Sequence, residues 1–375
     1  MRNGSCDVIV LGGGIIGASL AEELVRRGQQ VALVERGTIG SEASNAAAGI
    51  LASQVDVPAP GPFFDFCQAA RRLYPRWVEH LERRSGLSVG FHVDGILQIM
   101  WTAREEKAMK RQAKWQRKRG VRIDQWSPKE VRRHEPILDG KIRSGFHFPA
   151  EAQVDNVQVM AALAAACRKG GVAVQERTAV RRIVSRDRVV RGVETDQGML
   201  EAPVVVNCLG TWADLGDSFP LRFPLAPIRG QMLAFRGTKR LVRHVVMSSA
   251  AYVVQRRDGR LIVGSTLERA GFEKALTLDG IHAILSGLCR MSSAFDNCTL
   301  IDSWCGLRPF TDGDTMPILG ETPVKGLYAA TGHFRHGILL APLTAQVMAE
   351  LILRGRSTFD LAPFSPGRFA HVSSE

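Results

Sequence analysis

Two glycine-rich turns hold the residue types that could do chemistry. The first, Gly12-Gly13-Gly14-Ile15-Ile16-Gly17, follows the apolar run Val8-Ile9-Val10-Leu11. Gly12, Gly14 and Gly17 fit the spacing G-x-G-x-x-G. The first glycine permits a tight turn, the second lets a pyrophosphate approach the backbone, and the third lets the next helix pack close to the strand. That helix, expected over 15–27, offers unpaired N–H groups and the positive end of its dipole to phosphates. Glu35 ends a second apolar strand over 30–35, where a carboxylate can bind both hydroxyls of an adenosine ribose. The acid disfavours a 2′-phosphate and so NADP; NAD and FAD both stay open on these residues. The second turn, Gly332-His333-Phe334-Arg335-His336-Gly337, joins a strand over 327–331 to a helix over 338–354. It presents a second helix N-terminus to a ligand, beside two histidines and an arginine.

The elements that must position these turns follow from patterning. Residues 36–50 are mostly small, and Ser44 is placed to cap a short helix over 45–48. A polar, proline-rich loop over 54–62 precedes a long amphipathic helix over 63–84, bent near Pro75. A strand is expected over 95–100 and a basic helix over 103–119. Ser127-Pro128-Lys129-Glu130 has the signature of a helix start, and Asp155 can start the Ala-rich helix that stops at Gly170-Gly171. Short strands over 172–175, 180–185 and 189–195 lead to the buried, parallel-type strand Val204-Val205-Val206-Asn207, a return to the first domain. From Ile228 the character changes: 231–236, 252–256 and 260–264 alternate like antiparallel strands, with Asp258-Gly259 as a hairpin turn. A helix over 277–291 and a strand over 299–305 follow. The fold class is therefore α/β with an α+β second domain, the two interleaved. The expected division is 1–90, 146–222 and 305–375 for nucleotide binding, and 91–145 and 223–304 for an antiparallel-sheet substrate domain.

Composition narrows the partners. The 375 residues are 45% hydrophobic and 23% charged, an ordinary globular balance with room for two domains on a large core. No signal peptide is expected, because the first strand begins at Asp7. The apolar stretch 338–353 is interrupted by Pro342, Gln346 and Glu350, so it reads as too short and too polar to cross a bilayer, and the protein as soluble and cytoplasmic. The seven cysteines form no C-x-x-C pair and no metal spacing; reduced thiols and no metal site are expected. A net charge of +12 would suit nucleic acid, an acidic membrane surface or anionic substrates. Its densest stretch, 104–122, reads as the solvated face of a helix with Met109 and Trp115 turned inward.

Several motifs recur in order over nearly the whole chain. They are the opening glycine turn with Glu35, the segment 43–50, Phe63-Phe64-Asp65-Phe66, Tyr252-Val253-Val254, Trp304-Cys305-Gly306-Leu307-Arg308-Pro309, and Gly332-His333-Phe334-Arg335 followed by Gly337-Ile338-Leu339-Leu340-Ala341-Pro342. Together they resemble the D-amino acid oxidase superfamily of FAD-dependent oxidoreductases, the last two being most specific to its glycine oxidase branch. The resemblance implies a Rossmann-type FAD-binding domain and settles FAD over NAD. It implies that Ile15, Ile16, Glu35, Arg36, Ala43, Ser44, Ala48, Gly49, Ile50 and Val180 line the FAD. It also puts His333, Phe334, Arg335, His336, Gly337, Ile338 and Leu339 along the flavin ring, where a helix N-terminus stabilises the negative charge of reduced flavin. Covalent attachment would need a cysteine late in the chain; none follows Cys305, so the FAD is expected to be non-covalent.

On the substrate side, an amino acid oxidase must hold a carboxylate while presenting the Cα–H. A bidentate arginine does so with a fixed geometry that lysine lacks. By resemblance Arg308 is that arginine, Arg335 is a second one, and Tyr252 supplies a hydroxyl. Met247 and Ala250 stand where the family carries a tyrosine and a histidine, and Ile50 where a methionine is expected. These three would line or gate the pocket and admit larger or N-methylated amino acids. The implied reaction is direct hydride transfer from the Cα of a neutral amine, with no acid–base residue. It yields an imine or oxo-acid, ammonia and, with dioxygen, hydrogen peroxide. Glycine, sarcosine or small D-amino acids are the implied substrates. The imine can pass to a thiazole synthase of thiamine biosynthesis, and a homotetramer is implied, without a stable nucleic acid or membrane partner. Two other activities fit the same residues: a quinone-linked D-amino acid dehydrogenase, and a tRNA-modifying flavin oxidoreductase that contacts phosphates through 104–122.

Overall fold

The computed structural model describes residues 6–214, 222–237 and 240–369. Strand β1 (Val8–Leu11) has four apolar side chains, each no more than 1% exposed. A strand with no polar face must lie inside a sheet covered on both sides. It pairs in parallel with β2 (Val31–Val34) on one side and β12 (Val204–Asn207) on the other. The sheet is completed by β8 (Ala173–Gln175) beyond β2, and by β19 (Leu327–Thr331) and β18 (Ile318–Glu321) beyond β12; only β18–β19 is antiparallel. Its two faces are covered differently. Val8, Val10, Leu33 and Val206 pack against α1 (Ile15–Arg26), α3 (Pro62–Ser85), α6 (Asn156–Gly170) and α8 (Gly337–Arg354). Ile9, Leu11, Val34 and Val205 pack against a three-stranded sheet of β9 (Val180–Arg186), β10 (Val189–Thr195) and β11 (Gly198–Glu201). Each such side chain taken from water contributes roughly 1.5–3 kcal/mol.

Helix α8 departs from expectation. Its 18 residues have a mean hydropathy of 1.4, which by length and composition would suit a membrane crossing despite Pro342. It is 67% buried here, packed against α1 and α3 as a core helix. Helix α3 is likewise one continuous element, with Pro75 inside it.

The second large sheet runs in the order β17 (Thr299–Thr311), β13 (Leu225–Arg236), β16 (Arg260–Gly264), β15 (Tyr252–Gln255), β14 (Val245–Met247), β4 (Ile96–Met100), β6 (Ser144–Phe148), β5 (Asp124–Trp126). Every pair is antiparallel except β14–β4. One face packs on α5 (Pro128–His134) and α7 (Leu278–Met291). The other packs on α4 (Ala103–Lys118), on Ala48 of the small-residue segment, and on Ala52 and Val55 just after it. Met109 of the basic helix is buried; Trp115 is half-buried, with its indole N–H donating to Pro58 O at 3.2 Å. The two expected helix starts hold: Ser127 with Glu130 closes a reciprocal box, and Asp155 accepts from Val157 and Gln158 N–H; Thr102 with Glu105 adds a second box that the sequence reading did not name. Each cap stabilises its helix by about 1 kcal/mol.

Strands β13 and β17 are longer than the alternation suggests. Pro227 stands opposite Pro309 in their register, and proline reads as a strand breaker, yet both are accommodated here. The expected domain boundaries at 145/146 and 304/305 fall inside β6 and β17. The short helix α2 (Ala43–Ala46) starts two residues earlier than expected, so Ser44 lies within it rather than capping it. A two-residue ladder, β3 (Ile50–Leu51) with β7 (Ala152–Gln153), completes the frame.

Candidate active site

A cleft of about 1860 Å³, open solvent at its mouth included, lies where the carboxyl ends of β1 and β2 meet the second sheet. In a parallel sheet this is the switch point, where helix N-termini leave free N–H groups. At one end Gly12 turns at φ +96°, and a Cβ there would stand 2.6 Å from Cys208 O. A Cβ on Gly17 would stand 2.0 Å from Gly12 O, so α1 reaches the turn only because position 17 has no side chain. Gly17 itself does not line the cleft; Gly14, Ile15 and Ile16 do. Glu35 is buried with one oxygen accepting from Gly13 N–H at 2.7 Å and the other from Gly37 N–H at 2.8 Å. Ser44 Oγ accepts from Ile15 N–H at 2.9 Å, which puts a hydroxyl at the α1 N-terminus. Arg36 pairs with Glu42 at 2.8 Å and stacks over Trp212, its Cζ 3.8 Å from the ring centroid. Ala43, Ala48, Gly49, Ile50 and Val180 line the same wall.

Helix α2 ties this wall to the second sheet. Asn156 Nδ2 donates to Ser44 O and Asn45 O at 2.8 and 2.9 Å, and Trp304 Nε1 of β17 donates to Ala46 O at 3.1 Å. Gly306 lets β17 close on α2, since a Cβ there would lie 2.4 Å from Ala46 Cβ. Just past the end of β15 the buried Arg256, its pKa lowered by burial to about 10, donates to Ala48 O at 2.8 Å.

The other end is made by side chains. Arg308 projects from β17 across β13, and Gly230 is its seat: a Cβ there would stand 2.0 Å from Nη1. Nη2 donates to Ser265 Oγ at 2.8 Å and Nη1 to Thr266 O at 3.1 Å. Burial pulls its pKa below the ordinary arginine value, with the Tyr252 hydroxyl acting against that shift. Among the described residues no carboxylate forms an ion pair with Arg308. Tyr252 lines the cleft and donates its hydroxyl to Met232 Sδ at 3.2 Å. Arg335 also lines it, but pairs with Asp56 at 3.1 Å.

The second glycine turn forms the cleft's remaining wall through His333, Phe334, Arg335, Gly337 and Ile338, with Phe334 at φ +47°. His333 Nε2 lies 3.1 Å from Thr344 Oγ1, and burial lowers its pKa to about 3. Burial lowers His336 to about 4, so both rings are neutral at pH 7. His336 faces away from the cleft onto Phe63, with ring centroids 5.0 Å apart. Leu339 is in the helical core at 1% exposure. Met247 is buried in the second sheet's core beside Tyr252, in register with it. Ala250 is exposed on the turn that packs on Gly287 of α7. None of these four lines the cleft, and of the three suggested gate residues only Ile50 does.

Sequence reasoning missed Gly230, Ser265, Asp56, Glu42 and Trp212. Gly230 left only a partial signal: it stands one residue before the alternating strand expected over 231–236, and a glycine in a strand marks close approach of another group. Ser265 and Trp212 had none, because they reach the cleft from distant elements, while Glu42 and Asp56 lie within or just after the small-residue segment, where nothing singles them out.

Comparison with known proteins agrees with this geometry. A family model described as FAD dependent oxidoreductase matches residues 7–351. The chain is 38% identical over 97% of its length to the bifunctional protein ThiO/ThiG of Synechocystis sp., of which it spans about half (54%). It is 34% identical to the glycine oxidase of Geobacillus kaustophilus, over 96% of each chain. The crystal structure of glycine oxidase from Geobacillus kaustophilus superimposes with a TM-score of 0.94 at 32% identity, over 98% of this chain and 99% of that one.

Proposed function

The chain belongs to the family of FAD-dependent oxidoreductases, and on that premise we propose that it oxidises glycine and other small amino acids with dioxygen. The products are an imine or oxo-acid, ammonia and hydrogen peroxide. The observation that carries this reading is Arg308: a half-buried guanidinium that forms no ion pair with a carboxylate among the described residues, in the same cleft as the Gly12–Gly14 turn. FAD fits the other end. Backbone N–H groups at the α1 N-terminus suit the pyrophosphate, Glu35 suits a ribose, and the small residues 43–50 leave the wall open. When bound, FAD supplies the two-electron acceptor.

The chain's own groups do the rest. Arg308 binds the carboxylate through two N–H groups, helped by the Tyr252 hydroxyl, and so fixes the Cα–H. The apolar wall, with Ile50 and Ile338, desolvates the amine and favours its neutral form. The α8 N-terminus at Gly337 stabilises negative charge opposite it. His333 and His336 are neutral and turned to Thr344 and Phe63, so no acid–base residue is assigned.

The cofactor domain is assigned to 1–90, 146–222 and 305–375 and the substrate domain to 91–145 and 223–304, with β6 and β17 crossing between them. We assign the enzyme to the cytoplasm as a homotetramer, passing its imine to a thiazole synthase. The two-part ThiO/ThiG relatives support a link to a second activity. Anaerobic mixing of the flavin-loaded protein with glycine, sarcosine, D-alanine and D-proline tests the function. Bleaching of the visible flavin band that air reverses with release of peroxide is expected. No bleaching with any of the four would refute amine oxidation, and bleaching that air leaves unchanged would refute oxygen as the acceptor.

A further inference from the structure

Six of the seven charged residues that line the cleft fall into two groups, the seventh being Asp214 just beyond the Gly210–Trp212 turn. Glu35, Arg36 and Glu42 belong to the Gly12 end, where Arg36 pairs with Glu42. At the other end stand Arg308, Arg335 and Asp56. Two guanidiniums so close would suit a dianion. Asp56 changes that count, because its carboxylate lies 3.1 Å from Arg335. Neither side chain of the pair is a free surface group: Asp56 is 19% and Arg335 31% exposed. The hydrogen bonds of Arg308, by contrast, go to neutral groups, Ser265 Oγ and Thr266 O. This group therefore carries two positive charges and one negative charge, and Arg308 is the guanidinium that forms no ion pair among the described residues.

We propose that Asp56 sets how many carboxylates the substrate site accepts, by holding Arg335 in an ion pair and leaving Arg308 as the single guanidinium offered to substrate. The inference rests on the amine-oxidation reading for the identity of the substrate. Asp56 is then a specificity-determining residue that acts through Arg335. A monocarboxylate amino acid is matched in charge. A dicarboxylate such as iminodiacetate brings a second anion that finds Asp56 instead of a free cation, and like charges at this range repel.

The test uses acetate and malonate, unreactive probes that differ by one carboxylate, titrated into the flavin-loaded enzyme and followed by the flavin absorbance change. Asp56→Asn should tighten malonate at least about tenfold more than acetate, and Arg335→Met added to it should remove that gain. Parallel shifts of the two probes in Asp56→Asn, or a malonate gain that survives in the double variant, would overturn the proposal. Arg335→Met alone gives an independent reading should Asp56→Asn fail to hold flavin. It leaves Asp56 unpaired near Arg308 and should weaken acetate about tenfold, and unchanged acetate binding would overturn the proposal. Neither probe is oxidised, so an enzyme that turns over no amine would sink the proposed function while the carboxylate count is still read.

Discussion

The two ends of the cleft are built from different materials. At the Gly12 end the ligand meets backbone: N–H groups at a helix start, a turn at φ +96°, and small residues that let a chain approach. At the Arg308 end it meets side chains from β15 and β17 over a seat in β13, held by bonds to residues around 40 positions away in sequence. The difference teaches where specificity can change. A backbone site depends on local geometry and tolerates few residues; a side-chain site can be retuned one residue at a time.

Four variants break or sharpen this contrast. Gly17→Ala should have the largest effect. Its Cβ would lie 2.0 Å from Gly12 O, so α1 must move off the turn. Flavin content after purification should fall below about a tenth of wild type, read from the absorbance ratio; retained flavin would show that the turn adapts. Gly230→Ala should act only at the other end. The added carbon displaces the Arg308 guanidinium, so KM for the amine should rise about 100-fold with flavin content kept. A matching loss of flavin would mean the ends are not separable in this way. Arg308→Lys keeps the charge and loses the fork, and should raise KM about 30-fold; unchanged KM would remove Arg308 from carboxylate binding.

The fourth variant concerns a group at neither end and leaves the cleft itself unchanged. Glu151 is fully buried against Ser53, and burial raises its pKa to about 8 from the ordinary 4.5. A folded-state pKa above the unfolded one gives stability that is full below about pH 4.5 and is lost as pH rises through about 8. Glu151→Gln can keep both Ser53 contacts, through its amide oxygen and N–H2. It should therefore flatten that part of the stability profile, on the order of a few kcal/mol, in denaturant melts between pH 5 and 8. An unaltered profile would mean Glu151 titrates normally.

The same contrast explains what could be read from sequence. The β1–α1–β2 unit and the Leu327-to-α8 turn are contiguous, so periodicity and glycine spacing report them directly. The carboxylate end is assembled by sheet register. Nothing near Arg308 announces Gly230, which reaches it only because β13 and β17 pair over their whole length. Pro227 and Pro309 hid that pairing by looking like strand breaks. Ser44 was legible as a polar group near the phosphate site, but its partner, Ile15 N–H, lies 29 residues away, and a local helix cap was the nearer reading. Asp56 sat in a loop with no periodicity to interpret.

Helix α2 is four residues long, yet Ser44 holds the start of α1 while Ala46 accepts from Trp304 of the strand that carries Arg308. The two ends therefore share one short segment. Thermodynamic linkage makes any coupling through it reciprocal: whatever factor a bound cofactor adds to carboxylate affinity, a bound carboxylate adds to cofactor affinity. Where that factor exceeds one, flavin is held most tightly while substrate is plentiful and is released more readily when it is scarce.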